Sequence, residues 1–299
     1  MSKRRMTQYF IIAMAALLLV IPGRMAAAEA SSIPGIPEEL IKGSAIEPDY
    51  SLVVTATELL NKTKQNRRMT LVDVRSPEEF ERLRIPGSIN LPLHAVKTKA
   101  FLKAQPFALV SAGCERRDLE SECKRLQQSG LKPSILFGGL VAWQSQGGPL
   151  EGDRLLVATY KKIPAHLFFH EKDYESIKVF DVSPNPLPDA KKLIHGNVHV
   201  KNIESLVKLA MQCISTYRTI VLFNENGEQY EKFDAALKKA GISTAFYLKG
   251  GMNGYRNFLE TTTLSWKSKA ERIVTLGGCG SCGRVSLEEG QTERLRVAE

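Results

Sequence analysis

The chain has 299 residues, of which 43% are hydrophobic and 24% are charged, a composition typical of a soluble globular protein with about two domains. With 14 prolines and 22 glycines, it is not a low-complexity chain. The net charge is +9, but no block rich in lysine and arginine is interleaved with aromatic residues, so the sequence predicts no nucleic-acid partner.

The first thirty residues have the layout of a secretory signal peptide. Three basic residues, Lys3 to Arg5, precede an apolar run from Phe10 to Ile21, and small residues around Ala28 offer cleavage sites. The apolar run is shorter than the ~18 residues of a membrane-spanning helix. We therefore predict a cleaved signal peptide over residues 1–30, a periplasmic or secreted protein, and no stable membrane span after cleavage. The alternative is an uncleaved membrane anchor.

The rest of the chain contains one pattern of short apolar strands and amphipathic helices twice. The second copy follows the first by about 110 residues, and its segments VFDVSP, IHGNV, TIVLFN and FYLKGG echo LVDVRSP, IPGSI, PFALVS and ILFGG. This alternation predicts an α/β fold with two tandem domains, each a parallel sheet flanked by helices on both faces. The predicted parts are a leader (31–50), domain 1 (51–150), a linker (151–162), domain 2 (163–262) and a tail (263–299).

Several short motifs of the first copy occur in the order typical of one enzyme family. Asp73-Val74-Arg75 ends a strand, Arg84 to Ser88 forms a turn, and Gly138 to Trp143 begins a helix. These motifs resemble those of the rhodanese (sulfurtransferase) family, and the duplication resembles its tandem members. The resemblance implies that a cysteine thiolate takes a sulfane sulfur from a small donor as a persulfide and passes it to an acceptor.

The loop after the central strand of domain 1 contains the candidate nucleophile, Cys114. Backbone N–H groups at a helix N-terminus, with arginine nearby, bind anions and lower the pKa of a cysteine. The sequence therefore predicts a sulfur-donor or oxyanion site with an anion-binding loop of Ser111, Ala112 and Gly113, and with catalytic Cys114, Arg116 and Arg117.

A degenerate site is the alternative for this loop. The loop is about two residues longer than its counterpart in domain 2, and Ser111 occupies the strand-end position that holds the cysteine of the family. Acidic residues near Cys114 oppose a thiolate. In domain 2 the same position is Asn224, and Gln229 replaces the arginine, so the resemblance implies that domain 2 lacks this chemistry.

The other cysteines and histidines give weaker signals. Cys123 and Cys213 lie in helical patterns, which predicts packing roles, with a resolving thiol for Cys114 as the alternative for Cys123. His195 and His199 are two residues apart but lack further ligands nearby, so surface or packing roles are favoured over a metal site. The sequence predicts no metal and no cofactor.

The tail contains a Cys-x-x-Cys pair, Cys279 and Cys282, within a glycine-rich segment. We expect a mobile dithiol that accepts sulfur or reduces a persulfide; a structural disulfide and half of a metal site are the alternatives. Two functions follow from the sequence: a periplasmic sulfurtransferase acting through Cys114, or a non-catalytic rhodanese fold that docks a redox protein, with the tail as its reactive element. A phosphatase-like use of the fold is disfavoured because Ser111 occupies the first position of the loop.

Overall fold

A computed structural model describes residues 36–65, 69–213, 218–242 and 244–276. The predicted signal peptide and the pair Cys279 and Cys282 lie outside these residues. Among the helices of the described ranges, none combines the length and the apolar character required to cross a bilayer.

The first sheet is parallel and has five strands. Its order is β1-β6-β5-β2-β4, and β3 pairs with β7 in a separate antiparallel ribbon. The central strand is an unbroken apolar run, FALV, that is buried on both faces, as is usual in a parallel sheet. The strands are β1 (Val53–Val54), β2 (Thr70–Asp73), β3 (Leu83–Arg84), β4 (Ile89–Asn90), β5 (Phe107–Val110), β6 (Pro133–Leu136) and β7 (Glu151–Gly152).

Helices connect these strands, and two of them begin with capping boxes. Thr55 and Glu58 cap one helix reciprocally, and Ser76 and Glu79 cap another that has Pro77 at its first position. The helices are α1 (Glu38–Ile41), α2 (Ala56–Lys64), α3 (Pro77–Arg82), α4 (Leu93–Val96), α5 (Arg117–Gln128), α6 (Gly139–Ser145) and α7 (Leu156–Tyr160), with 3-10 turns at Tyr50–Leu52 and Ala100–Lys103.

The second sheet repeats the first, with the order β10-β9-β11-β12-β8. Its strands are β8 (Lys162–Ile163), β9 (Ile177–Asp181), β10 (Val198–His199), β11 (Thr219–Phe223) and β12 (Ala245–Leu248). Its helices are α8 (Ala165–Glu171), α9 (Ala190–Leu193), α10 (Ile203–Cys213), α11 (Glu231–Lys239) and α12 (Gly251–Leu276). The predicted α/β class with two parallel sheets flanked by helices is confirmed, and the two sheet units fit a tandem arrangement.

The leader packs on the second sheet unit as well as on the first. Ile46 forms a parallel bridge with Tyr174, with hydrogen bonds of 2.8 Å from its amide to the Asp173 carbonyl and 3.1 Å from the Glu175 amide to its own carbonyl. In the same segment, the amide of Asp49 donates to Glu120 Oε1 of the first sheet unit at 3.2 Å. The leader therefore connects the two sheet units rather than simply preceding the first.

Candidate active-site loop

The loop 111–116 leaves β5 at the carboxyl edge of the first sheet and enters α5. The amide of Leu140 donates to the carbonyl of Ser111 at 3.1 Å, and the amide of Val141 donates to the carbonyl of Ala112. Gly139 has φ +49°, and a Cβ there would lie 2.3 Å from the Ser111 oxygen. Glycine is required at this position because the start of α6 contacts the loop backbone directly.

The amides of this loop bind carboxyl groups of the chain itself. Oε1 of Glu171, at the end of α8 in the second sheet unit, accepts hydrogen bonds from the amides of Arg116 (3.0 Å) and Arg117 (2.9 Å). The amide of Gly113 donates to Oε2 of Glu115 at 3.0 Å. The N-terminal end of α5, where the sequence predicted a bound substrate anion, is occupied by Glu171 in this structure.

Cys114 lies in this loop but is turned away from solvent. It is 9% exposed, and it lines a cavity of about 20 Å³, which is space for about one water molecule. Burial raises the pKa of the Cys114 thiol well above its ordinary value, and the carboxyl groups of Glu171 and Glu115 raise it further. The expectation that amides and arginines would lower this pKa was therefore wrong, mainly because the thiol is buried and also because Glu171 lies beside it; the opposing charge of Glu115 was foreseen.

The predicted anion partners Arg116 and Arg117 both contact the second sheet unit. The guanidinium of Arg116 lies between the rings of Tyr50 and Tyr174, 5.2 and 5.7 Å from their centroids, and its Nε is 3.5 Å from Glu120 Oε2. Its three nitrogens are buried and make no hydrogen bond within the described residues. Arg117 Nη1 donates to the carbonyl of His170 at 3.2 Å. Neither guanidinium hydrogen-bonds the carboxyl group that occupies the loop.

Glu171 was missed by the sequence analysis, although it dominates the site. It is 2% exposed, and burial raises its pKa to about 8, with the two amide hydrogen bonds opposing that rise. Its Oε2 has no hydrogen-bond partner in the described residues. No local motif marks this glutamate, since its role depends on contact between segments more than fifty residues apart.

The corresponding loop of the second sheet unit, residues 224–230, is closed by its own first side chain. Asn224 Oδ1 accepts from the amide of Gly227 at 2.6 Å, and its Nδ2 donates to the carbonyl of Glu228 at 2.7 Å. The start of α12 contacts this loop as α6 contacts the first, because the amide of Met252 donates to the carbonyl of Asn224 at 2.8 Å. Gln229 has φ +57°.

The remaining cysteines of the described residues lie in or beside the two cores. Cys123 is fully buried in the first core, and burial, with nearby Glu122 and Glu120, raises its pKa to about 12. Cys213 is partly buried at the edge of the second core. His199 Nδ1 lies 3.5 Å from Asp181 Oδ2. Within the described ranges, no group of three or more His, Cys, Asp or Glu residues is arranged to hold a metal ion.

Comparison with known families gives a match for the first sheet unit. Residues 55–146 match the rhodanese-like domain family. Over 81 residues the chain is 32% identical to the adenylyltransferase and sulfurtransferase of Ogataea parapolymorpha, a match that covers 26% of this chain and 21% of that protein. The first sheet unit is therefore a rhodanese-like, sulfurtransferase-like domain, whereas this chain spans only about a fifth of its curated relative.

Two solved structures are similar to parts of this chain. The rhodanese-like domain from Anabaena sp. is 25% identical, with a TM-score of 0.31 and coverage of 34% of this chain and 80% of that one. The thiosulfate sulfurtransferase from Pseudomonas aeruginosa is 19% identical, with a TM-score of 0.30. That similarity covers 68% of this chain and 42% of the Pseudomonas chain.

Proposed function

We propose that this chain is an exported rhodanese-fold protein that docks a redox partner and carries out sulfur chemistry through the dithiol of Cys279 and Cys282 instead of Cys114. The observation that carries the proposal is the carboxyl group of Glu171 on the amides of Arg116 and Arg117. A side chain of the protein holds the position that a substrate anion needs, so the first loop is closed to small anionic donors.

The state of Cys114 supports this proposal. Persulfide formation requires a thiolate, and the pKa of the Cys114 thiol is raised by burial and by two carboxyl groups. The cavity beside it, about 20 Å³, is too small for a donor such as thiosulfate. The loop of the second sheet unit has Asn224 instead of a cysteine, and an amide forms no persulfide. The tail pair then remains as the candidate for reactivity.

A gated sulfurtransferase is the second candidate, and one observation favours it. The amides of Arg116 and Arg117 bind a carboxyl oxygen at 3.0 and 2.9 Å, so the loop has a backbone arranged for an anion. In this candidate, movement of Glu171 frees the amides for a donor. The Cys114 thiolate would then attack the outer sulfur of thiosulfate, forming the persulfide as the sulfur–sulfur bond of the donor breaks and sulfite leaves.

The test compares cysteine variants of the full chain in sulfur transfer from polysulfide to a thiol acceptor. We expect Cys279→Ser with Cys282→Ser to lower the rate about tenfold or more, because it removes the exchanging thiols. Cys114→Ser is expected to stay within about twofold of the wild type, because a protonated thiol contributes little to exchange. Cys213→Ser is the matched control, since Cys213 lies at the edge of the second core and is neither of the candidate nucleophiles.

Mass spectrometry of each protein after polysulfide treatment distinguishes the two candidates. The docking proposal expects a gain of about 32 Da, one sulfur atom, on Cys279 or Cys282. The same gain on Cys114, with activity lost in Cys114→Ser and kept in the double variant, would overturn the docking proposal in favour of the gated enzyme.

A further inference from the structure

A larger cavity lies between the two sheet units, and its volume of about 630 Å³ is within the range of small-molecule sites. One wall consists of α7 and the C-terminal part of α6, and the other consists of α11 and the residues that lead into β12. Its lining includes no residue of the loops 111–116 and 224–230. Small-molecule sites occur preferentially where two such units meet. The cavity therefore has the size and the location of a ligand site that is separate from both loops.

Among the described residues that line this cavity, the one carboxylate, Asp234, is already paired within the protein. Its Oδ1 accepts hydrogen bonds from Lys161 Nζ and from the hydroxyl of Tyr247, both at 2.5 Å. Its Oδ2 lies 2.8 Å from Nζ of Lys238. Because Lys161 is only 7% exposed, its charge is held next to Asp234 inside the protein. Asp234 therefore balances Lys161, and no second carboxylate of the lining balances the other cations.

Two exposed cations of the lining, Arg154 and Lys238, provide a surplus of positive charge. Lys238 shares the single carboxylate with Lys161, and Arg154 Nη2 donates to the carbonyl of Leu150 at 3.3 Å, which is an uncharged partner. Three cations against one carboxylate leave two positive charges in excess. Charges of one sign that line a cleft attract ligands of the opposite sign. The cavity therefore favours a ligand with two negative charges.

Apolar side chains form another part of the lining and limit the ligand further. Val141, Val157 and Ile242 are buried, so they belong to the floor of the cavity. Leu155 is 82% exposed and lies at the open side. Covering so exposed an apolar side chain with hydrocarbon removes it from water and is favourable. An inorganic anion would leave these side chains and most of the volume without contacts, so the ligand needs an organic body.

We propose that this cavity, named here the Lys238 cavity, binds a small organic dianion such as a phosphate monoester, with its charged group at Arg154 and Lys238 and its hydrocarbon body against Leu155, Val157 and Ile242. No cysteine lines the cavity, so the site is independent of Cys114 and of the tail dithiol. Because both sheet units contribute to its walls, a bound ligand would contact the two units at once.

The experiment titrates the full chain with phenyl phosphate at low ionic strength and about pH 8, where a phosphate monoester is a dianion, by isothermal calorimetry. Inorganic phosphate and benzyl alcohol are the partial probes. We expect saturable binding of phenyl phosphate with a Kd in the millimolar range or tighter, and at least about tenfold weaker binding of each partial probe. Equal binding of inorganic phosphate would overturn the apolar part of the proposal, and equal binding of benzyl alcohol would overturn the anionic part. The absence of saturable binding would overturn the whole.

Variants then locate the site. Arg154→Gln and Lys238→Gln are each expected to weaken phenyl phosphate binding about threefold, and together about tenfold, with a reduced salt dependence. Leu155→Ser is expected to weaken binding about threefold and to leave the melting temperature unchanged, because this side chain is exposed in the free protein.

Lys239→Gln is the matched control, because Lys239 is an exposed lysine of the same helix, next to Lys238, but lies outside the lining. It removes the same charge from the chain and should bind phenyl phosphate as the wild type does. Equal binding by the wild type and by the double variant of Arg154 and Lys238 would place the ligand elsewhere and overturn the proposal. An equal loss of binding in Lys239→Gln and Lys238→Gln would overturn it as well, because the effect would then come from the overall charge.

Discussion

The two loops at the carboxyl edges of the two sheets have the same backbone support but are filled in different ways. In both, a glycine with positive φ, Gly139 or Gly251, places the start of the next helix against the loop carbonyls. The first loop is then filled by Glu171 from the other sheet unit, whereas the second is filled by Asn224 from its own sequence.

This difference shows that two loops with the same backbone support can have their amides paired by side chains from different parts of the chain. Amides at a helix N-terminus need acceptors, and where no substrate is bound a side chain supplies one. In the second loop the acceptor is the side chain of Asn224 from the loop itself, so the amide of this loop is paired within its own sheet unit. In the first loop the acceptor comes from a distant segment, so the state of the loop depends on the contact between Glu171 and the amides of Arg116 and Arg117.

The largest effect on stability is expected when the glycines that support the two loops are replaced by alanine. Gly139→Ala and Gly251→Ala should each lower the free energy of unfolding by about 3 kcal/mol or more. Each added Cβ would lie 2.3 Å from a carbonyl oxygen, and each alanine would have to adopt a positive φ. Gly130→Ala is the control: it has φ +80° but open space around its Cβ, so we expect a loss of about 1 kcal/mol. Urea denaturation gives all three values. If only one of Gly139→Ala and Gly251→Ala loses more unfolding free energy than Gly130→Ala does, the two loops do not share this support.

The dependence of the first loop on Glu171 predicts a difference in pH dependence. A carboxyl group whose pKa is raised to about 8 in the folded protein stabilises it most below the unfolded value of about 4.5, and this stabilisation is lost as the pH rises through 8. Relative to Glu171→Gln, the wild type should therefore lose stability between pH 5 and pH 9, by a few kcal/mol at most, since one pKa unit corresponds to about 1.4 kcal/mol.

The measurement is urea denaturation of both proteins at several pH values, with Glu260→Gln, a change at an exposed carboxylate of α12, as the control. The control should follow the wild type at every pH. If the free energies of unfolding of Glu171→Gln and of the wild type changed in parallel with pH, Glu171 would not have a raised pKa in the folded protein.

The smallest effect is expected in the second loop, where the closure is local. Asn224→Ala removes two hydrogen bonds, to Gly227 and Glu228, and should lower the free energy of unfolding by about 1 kcal/mol with no change in its pH dependence. Asn226→Ala removes one exposed hydrogen bond, to Asn253, and should cost less than about 0.5 kcal/mol. Equal values from thermal and urea denaturation for the two variants would show that Asn224 does not close the loop.

Much of the fold could be predicted because its signals are local. The segment PFALVS was recognised as part of a strand and helix pattern, and the structure places the central strand at Phe107–Val110 within it. The duplication was also readable, since Asp73 and Asp181 end equivalent strands and each accepts from the amide two residues on. These features follow from periodicity and turn residues within a few positions of each other.

The state of the candidate site could not be predicted in the same way. Cys114 was identified from its place after a strand, but its pKa is raised by its burial and then by Glu171, which comes from α8 of the other sheet unit. The charge of Glu115 was noticed, whereas its hydrogen bond to the amide of Gly113 depends on the loop conformation. Pairing between distant segments leaves no periodic signal in the sequence, so these contacts required the structure.

The bridge between Ile46 and Tyr174 has a consequence for the order in which the chain can fold as it emerges from its N-terminus. The leader emerges before either sheet, yet its partner strand segment is translated only after the whole first sheet is complete. Ile46 therefore cannot form this bridge until the segment that contains Tyr174 has been made. In a chain that ends before Tyr174, this segment should therefore be accessible to chaperones and proteases. Protection of the segment from proteases would then report that the second half of the chain has packed against it.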